Sequence, residues 1–145
     1  MPGDREGVAD TLTIEMRNTT EAITPASEKA EAWLEAFDAS PKCMYLVPLA
    51  IEEIVTNCIN YGYDDADEHM ILITLSVADQ TLTMTVVDDG HHFDPLARSG
   101  PDLSVAVEER QIGGLGIHML KNLADGMTYE RRDGTNRLTL TKRLC

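Results

Sequence analysis

Three short stretches of this 145-residue chain combine residue types that do chemistry. Residues 50–61, AIEEIVTNCINY, have helical spacing: at about 100° per residue, Val47, Ala50, Ile51, Ile54 and Cys58 make an apolar stripe. Glu53, Asn57 and Asn60 cluster on the flank of that stripe, while Glu52 points elsewhere. A carboxylate with two amides one turn apart, at the edge of a buried face, can serve as a base and hold a magnesium ion beside a phosphate. The same spacing also fits an ordinary helix edge whose polar residues face water.

In residues 86–95, VVDDGHHFDP, a buried strand runs into an acid, a glycine and an irregular turn. A carboxylate at a strand end, here Asp88, can accept from the exocyclic amine of a base, and Gly90 lets a backbone approach the ring. An acceptor so placed favours adenine, because guanine presents the wrong edge to it. Alone, Asp88-Asp89-Gly90 is equally a plain turn. His91 and His92 have no ligand-spaced partner and read as solvated histidines, not a metal site. Residues 112–117, IGGLGI, set Gly113, Gly114, Leu115 and Gly116 at the mouth of a helix. Bare N–H groups at the positive end of a helix dipole make an anion site there; a flexible hinge is the alternative. The stretch lacks the Gly-Lys-Ser/Thr of a P-loop and does not follow a strand as a dinucleotide fingerprint must. Arg98, Arg110 and Lys121 are either phosphate contacts or plain surface cations.

The elements that must position these groups follow from hydrophobic period. Residues 11–17 alternate and predict a strand, residues 26–37 an amphipathic helix. Ser40-Pro41 has the form of an N-cap with proline in the first turn, opening a longer helix towards Tyr63 that Pro48 kinks or delays. Residues 70–78 and 82–87, joined by Asp79-Gln80, predict a hairpin. Residues 114–125 predict a third helix ended by Gly126, and residues 127–131 and 135–144 a closing hairpin around Asp133-Gly134. The order β-α-α-β-β-loop-α-β-β predicts an α+β two-layer sandwich, a mixed, mostly antiparallel sheet with helices on one face. A single domain over 11–145 is expected, after a flexible N-terminus at 1–10.

The chain has 12 Lys+Arg against 25 Asp+Glu, a formal charge of −13, which argues against direct nucleic-acid binding by phosphate neutralisation. A phosphate ligand must therefore be held locally, by helix-start amides, a metal and a few cations. No apolar run approaches the roughly 20 residues of a membrane helix, and residues 1–10 lack the apolar stretch of a signal peptide. A cytoplasmic protein is expected. Cys43, Cys58 and Cys145 are odd in number and far apart, which fits reduced thiols.

Together, in this order and spacing, the three stretches resemble the ATP-binding fold shared by DNA gyrase, heat-shock chaperones, mismatch-repair proteins and bacterial histidine kinases. Within it, the chain is similar over residues 49–144 to the small anti-sigma-factor serine kinases. The motifs that carry this are Glu53-Ile54-Val55-Thr56-Asn57, Asp88-Asp89-Gly90 with Phe93-Asp94-Pro95, Gly113-Gly114-Leu115-Gly116, and the ending Asp133-Gly134-Thr135-Asn136-Arg137-Leu138-Thr139-Leu140. The resemblance implies ATP and Mg2+ as cofactors, Glu53 as general base and Asn57 as magnesium ligand. It implies that Asp88 accepts from the adenine amine, Gly90 permits close approach and Thr135 supports the adenine. Gly113, Gly114, Leu115 and Gly116 would offer backbone to the phosphates under a lid at 96–112, with Asn60 reaching them through water. The implied activity is that of a protein serine/threonine kinase in a partner-switching pathway. Its partners would be a small antagonist protein with a phosphorylatable Ser/Thr and a sigma factor, with the first strand and helix as a homodimer or sigma-binding face. A non-catalytic ATP-sensing module is the alternative, to which His92, standing where a second glycine is expected, lends weight; Tyr61 stands where a histidine is frequent.

Overall fold

Aliphatic residues alternate with threonines and other polar residues through several segments, and each becomes a strand. The computed structural model describes residues 10–97 and 114–145. The strands are β1 (Thr11–Arg17), β2 (Met70–Ala78), β3 (Thr81–Asp88), β4 (Gly126–Arg132) and β5 (Thr135–Arg143). They form one sheet in the order β1-β2-β3-β5-β4. All four pairings are antiparallel, so the sheet expected to be mixed is wholly antiparallel. Two tight turns drive this: Asp79 and Gln80 (φ 52° and 60°) and Asp133 and Gly134 (φ 51° and 79°) are left-handed throughout. Positive φ at both central residues is the type I′ geometry that matches strand twist.

The period of two gives the sheet its two faces. Ile14, Met16, Ile71, Ile73, Leu75, Leu82, Met84, Val86, Leu138 and Leu140 are buried beneath the helices. On the other face, Thr13, Thr74, Thr85, Thr139 and Thr128 stand in register across all five strands. A β-branched hydroxyl side chain suits a strand and tolerates water.

Three helices cover the apolar face: α1 (Ile23–Leu34), α2 (Pro41–Tyr61) and α3 (Gly114–Leu123). Helix α1 is extended by 3-10 turns at Thr20–Ala22 and Glu35–Phe37, and left-handed Asp38 (φ 55°) ends it. Helix α2 starts where Ser40-Pro41 predicts, the Ser40 hydroxyl accepting from the Cys43 N–H at 3.2 Å. It continues through Pro48, and its buried stripe of Leu46, Val47, Ala50, Ile51, Ile54 and Val55 explains why packing outweighs the lost hydrogen bond. Helix α3 ends at Leu123, and Gly126, expected to end it, opens β4 instead, where a Cβ would stand 2.9 Å from the Thr141 hydroxyl.

The expected α+β sandwich is what forms. Residues 1–9, the lid beyond Ala97, Arg98, Arg110 and Gly113 lie outside the described residues. Asp10 is tied to the sheet, its carbonyl accepting from Val77 N–H at 3.0 Å. Among the described residues no helix is long and apolar enough to cross a membrane.

Candidate functional site

The C-terminal end of α2 meets the end of β3 backbone to backbone. The Gly62 carbonyl accepts from His91 N–H at 2.8 Å, and a Cβ on Gly90 would stand 2.4 Å from that same oxygen. Gly90, expected to admit a ligand ring, is here needed to admit Gly62. Between these two segments, Ile54, Val86, Phe93 and Leu138 wall a pocket whose polar groups include Asn57, Cys58, Asp88 and Asn136. Tyr61 stacks on Phe93 (centroids 5.3 Å apart), and His92 sets its ring edge against Tyr129 (5.7 Å).

Asp88 is buried at the last position of β3. Its Oδ1 accepts from Gly90 N–H at 2.9 Å and from the Asn136 amide at 3.0 Å; its Oδ2 accepts from the Cys58 thiol at 3.2 Å. Burial, and then the charge of Asp88, push the Cys58 thiol well above its ordinary pKa, so it stays protonated and donates. Arg131 reaches across from β4 and donates to the Gly90 carbonyl at 2.6 Å, fixing the same turn from outside.

One turn apart on α2 stand Glu53 and Asn57. Asn57 is buried, and among the described residues its carboxamide oxygen has no hydrogen-bond partner. Burial, with Glu52 beside it, pushes the Glu53 carboxyl above the usual carboxylate range, which suits a proton acceptor. Its carboxylate lies against α3 at Gly116, where a Cβ would fall 2.0 Å from Glu53 Oε2. A side chain at 116 would thus occupy the volume of the Glu53 carboxylate.

Asn57 and Asp88 share the pocket; Glu53 lies beside Gly116, and Asn60 is exposed at the far end of α2. Gly114 opens α3, followed by Leu115, while Gly113 is outside the described residues. Thr135 does not line the pocket: its hydroxyl donates to the Arg132 carbonyl at 2.8 Å and closes the hairpin turn. Lys121 donates to the Leu96 carbonyl at 3.2 Å, so it holds the turn after Pro95. Sequence reasoning missed Tyr129, Arg131 and Gly62, gave Asn136 no role beyond its place in the closing-hairpin motif, and placed Cys58 only in the apolar stripe. The available signal for Asn136 was its place in the buried period of β5, where it is the polar member of a series continued by Leu138 and Leu140. Among the described residues no group of three His, Cys, Asp or Glu side chains is placed to hold a metal. A magnesium ion fits nevertheless, since it needs one or two protein oxygens beside phosphate and water, and Asn57 presents an unpartnered one.

Residues 16–142 match the histidine kinase-like ATPase domain family, a span that includes every site residue above. This chain belongs to that family. Among its relatives, the serine/threonine-protein kinase BtrW of Bordetella bronchiseptica is 26% identical over 136 residues, covering 91% of this chain and 92% of that protein. An anti-sigma F factor of Clostridium perfringens is 22% identical over 120 residues, 82% of this chain and 86% of that one. In structure, the chain is similar to the RsbU and RsbW domains of Rv1364c from Mycobacterium tuberculosis, with TM-score 0.68 and 21% identity. That likeness covers 94% of this chain and 32% of the longer one. The histidine kinase domain from the blue-light activated kinase EL346 of Erythrobacter litoralis follows, with TM-score 0.53, 12% identity and coverage of 98% and 69%. Both likenesses agree with the expected histidine-kinase-like ATPase fold.

Proposed function

We propose that this chain is an ATP- and magnesium-dependent protein serine/threonine kinase of a partner-switching pathway, acting on a small antagonist protein. The observation that carries the reading is the buried, unpartnered Asn57 oxygen in a pocket that also holds Asp88, one helical turn from Glu53. The adenine amine donates to Asp88, and the ring lies between the apolar walls. Glu53 accepts the proton of an incoming serine or threonine hydroxyl. That oxygen bonds to the γ-phosphorus as the bond to the bridging oxygen of the departing ADP breaks. Magnesium, when bound, neutralises charge on the phosphates, and Asn57 is the residue that would hold it. Backbone at Gly113, Gly114, Leu115 and Gly116 offers N–H groups to the phosphates, with Asn60 reaching them through water.

The BtrW relative, named a serine/threonine-protein kinase, and the relatives named anti-sigma F factors support this reading. The antagonist is the phosphorylated partner; a sigma factor or a second copy of the chain takes the outer edge of β1, which in the described sheet pairs with β2 alone. The test is Glu53→Ala, assayed with radiolabelled ATP and small antagonist proteins, and by calorimetry with ATP and magnesium. Phosphoryl transfer should fall by about 10²–10⁴ while ATP binding is retained. Transfer that survives the substitution would remove Glu53 as the base. If the unsubstituted chain forms ATP-dependent complexes without transfer to any antagonist, the alternative of an ATP-sensing module stands in its place.

A further inference from the structure

We infer that Asn136 is a positioning residue for purine selection: it fixes the Asp88 carboxylate so that Oδ2 is the oxygen left for the ligand. The inference rests on the proposed contact between Asp88 and the adenine amine. In the β3–β5 register Asn136 stands directly opposite Asp88, and both are buried. The Asn136 amide donates to Asp88 Oδ1 at 3.0 Å and to the His91 carbonyl at 2.9 Å, with the Gly90 carbonyl at 3.5 Å. Its own oxygen accepts from the Tyr129 hydroxyl. This orientation is forced, because the reversed amide would turn an oxygen towards acceptors.

The consequence falls on Asp88. Oδ1 already has two good donors, the Asn136 amide and the Gly90 N–H. Oδ2 has the Cys58 thiol, a weak donor that also lines the pocket. An incoming amine can displace a thiol from Oδ2 far more easily than it can displace two N–H donors from Oδ1. The last torsion of an aspartate is otherwise broad, so without Asn136 the carboxylate keeps only the Gly90 N–H on Oδ1 and the Cys58 thiol on Oδ2, and its direction is held less tightly. Selectivity for a 6-amino purine is thus set by a strand residue acting through Asp88.

The measurement is calorimetric titration of the full chain with ATP and with purine riboside triphosphate, which lacks the 6-amine, both with magnesium. The unsubstituted chain should prefer ATP by about tenfold or more, the worth of a charge-assisted hydrogen bond less the thiol that takes its place. In Asn136→Ala the preference should shrink several-fold, the affinity for ATP falling by more than that for purine riboside triphosphate. General damage to the fold would lower both affinities together and leave their ratio intact; a retained ratio overturns the inference. If the unsubstituted chain does not distinguish the two nucleotides, the Asp88 reading itself fails. Should Asn136→Ala not fold, Tyr129→Phe decides: it removes the hydroxyl that anchors the Asn136 oxygen and keeps the ring. A reduced preference there supports the inference, and an unchanged one overturns it.

Discussion

The Asp88 end and the Glu53–Asn57 end of the site are built on opposite terms. Around Asp88, both carboxylate oxygens have donors, Asn136 uses its oxygen and its nitrogen, and Arg131 caps the Gly90 carbonyl. One turn apart on α2, the Asn57 oxygen is buried with no partner among the described residues, and burial, then the charge of Glu52, pushes Glu53 towards its protonated form. A satisfied polar network is rigid and specifies one arrangement. An unsatisfied buried acceptor carries an unmet cost that a ligand can relieve. The first end is therefore complete before anything binds, and the second is completed by what binds.

Two substitutions test whether the ends divide the work in this way. Asp88→Asn should weaken ATP binding by roughly 1.5–3 kcal/mol, the value of a hydrogen bond to a charged group, with the turnover of bound ATP little changed. Equal affinity of the unsubstituted chain for ATP and GTP would break the assignment; calorimetry with both nucleotides checks it. Gly116→Ala should do the reverse. The three heavy atoms nearest the added methyl all belong to the flexible Glu53 side chain, and alanine is the better helix former by about 1 kcal/mol, so the fold should survive while the carboxylate swings aside. The rate of transfer should drop about tenfold, part of what a positioned base supplies, with ATP affinity unchanged in the same titration. A Gly116→Ala chain that loses ATP binding instead would show that position 116 must stay small for the phosphates and not for Glu53.

Legibility in the sequence follows the range of the forces involved. Strands, the Ser40-Pro41 start and both hairpin turns depend on neighbouring residues, and they stand where period and turn chemistry put them. The start of α1 does not, because no side chain caps it and a 3-10 turn leads into it. Glu53, Asn57 and Asp88 could be read because a helix flank and a strand end are local geometry. Asn136 could not, since its role comes from pairing with a residue 48 positions away. Thr135, nominated for the adenine, is its neighbour, and alternation along β5 turns the two to opposite faces. Gly62 differs from Asn136 in that its constraint is local: a Cβ there would stand 2.7 Å from the carbonyl oxygen of Cys58, four residues back.

The smallest expected effect probes how far the rigid end extends. His69 lies between Asp65 (2.9 Å) and Asp89 (3.1 Å), stacks on Tyr63, and exchanges hydrogen bonds with Asn18. Hydrogen bonds that the ring donates to Asp65, then to Asp89, raise its pKa above the ordinary value. A raised histidine pKa means that the folded state favours the charged form. The stabilisation is fully present below the unfolded value of about 6.5 and fades as pH rises through the higher folded value. Thermal melts of the unsubstituted chain and of His69→Gln should therefore differ most at pH 6 and converge in alkaline buffer. Because Asp89 follows Asp88 directly, the same variant asks whether the outer ion pairs help to aim the Asp88 carboxylate. The purine preference should be the same in His69→Gln at either pH, since Asn136, Gly90 and Cys58 already hold that carboxylate; a preference that falls on raising the pH would extend the positioning network out to His69.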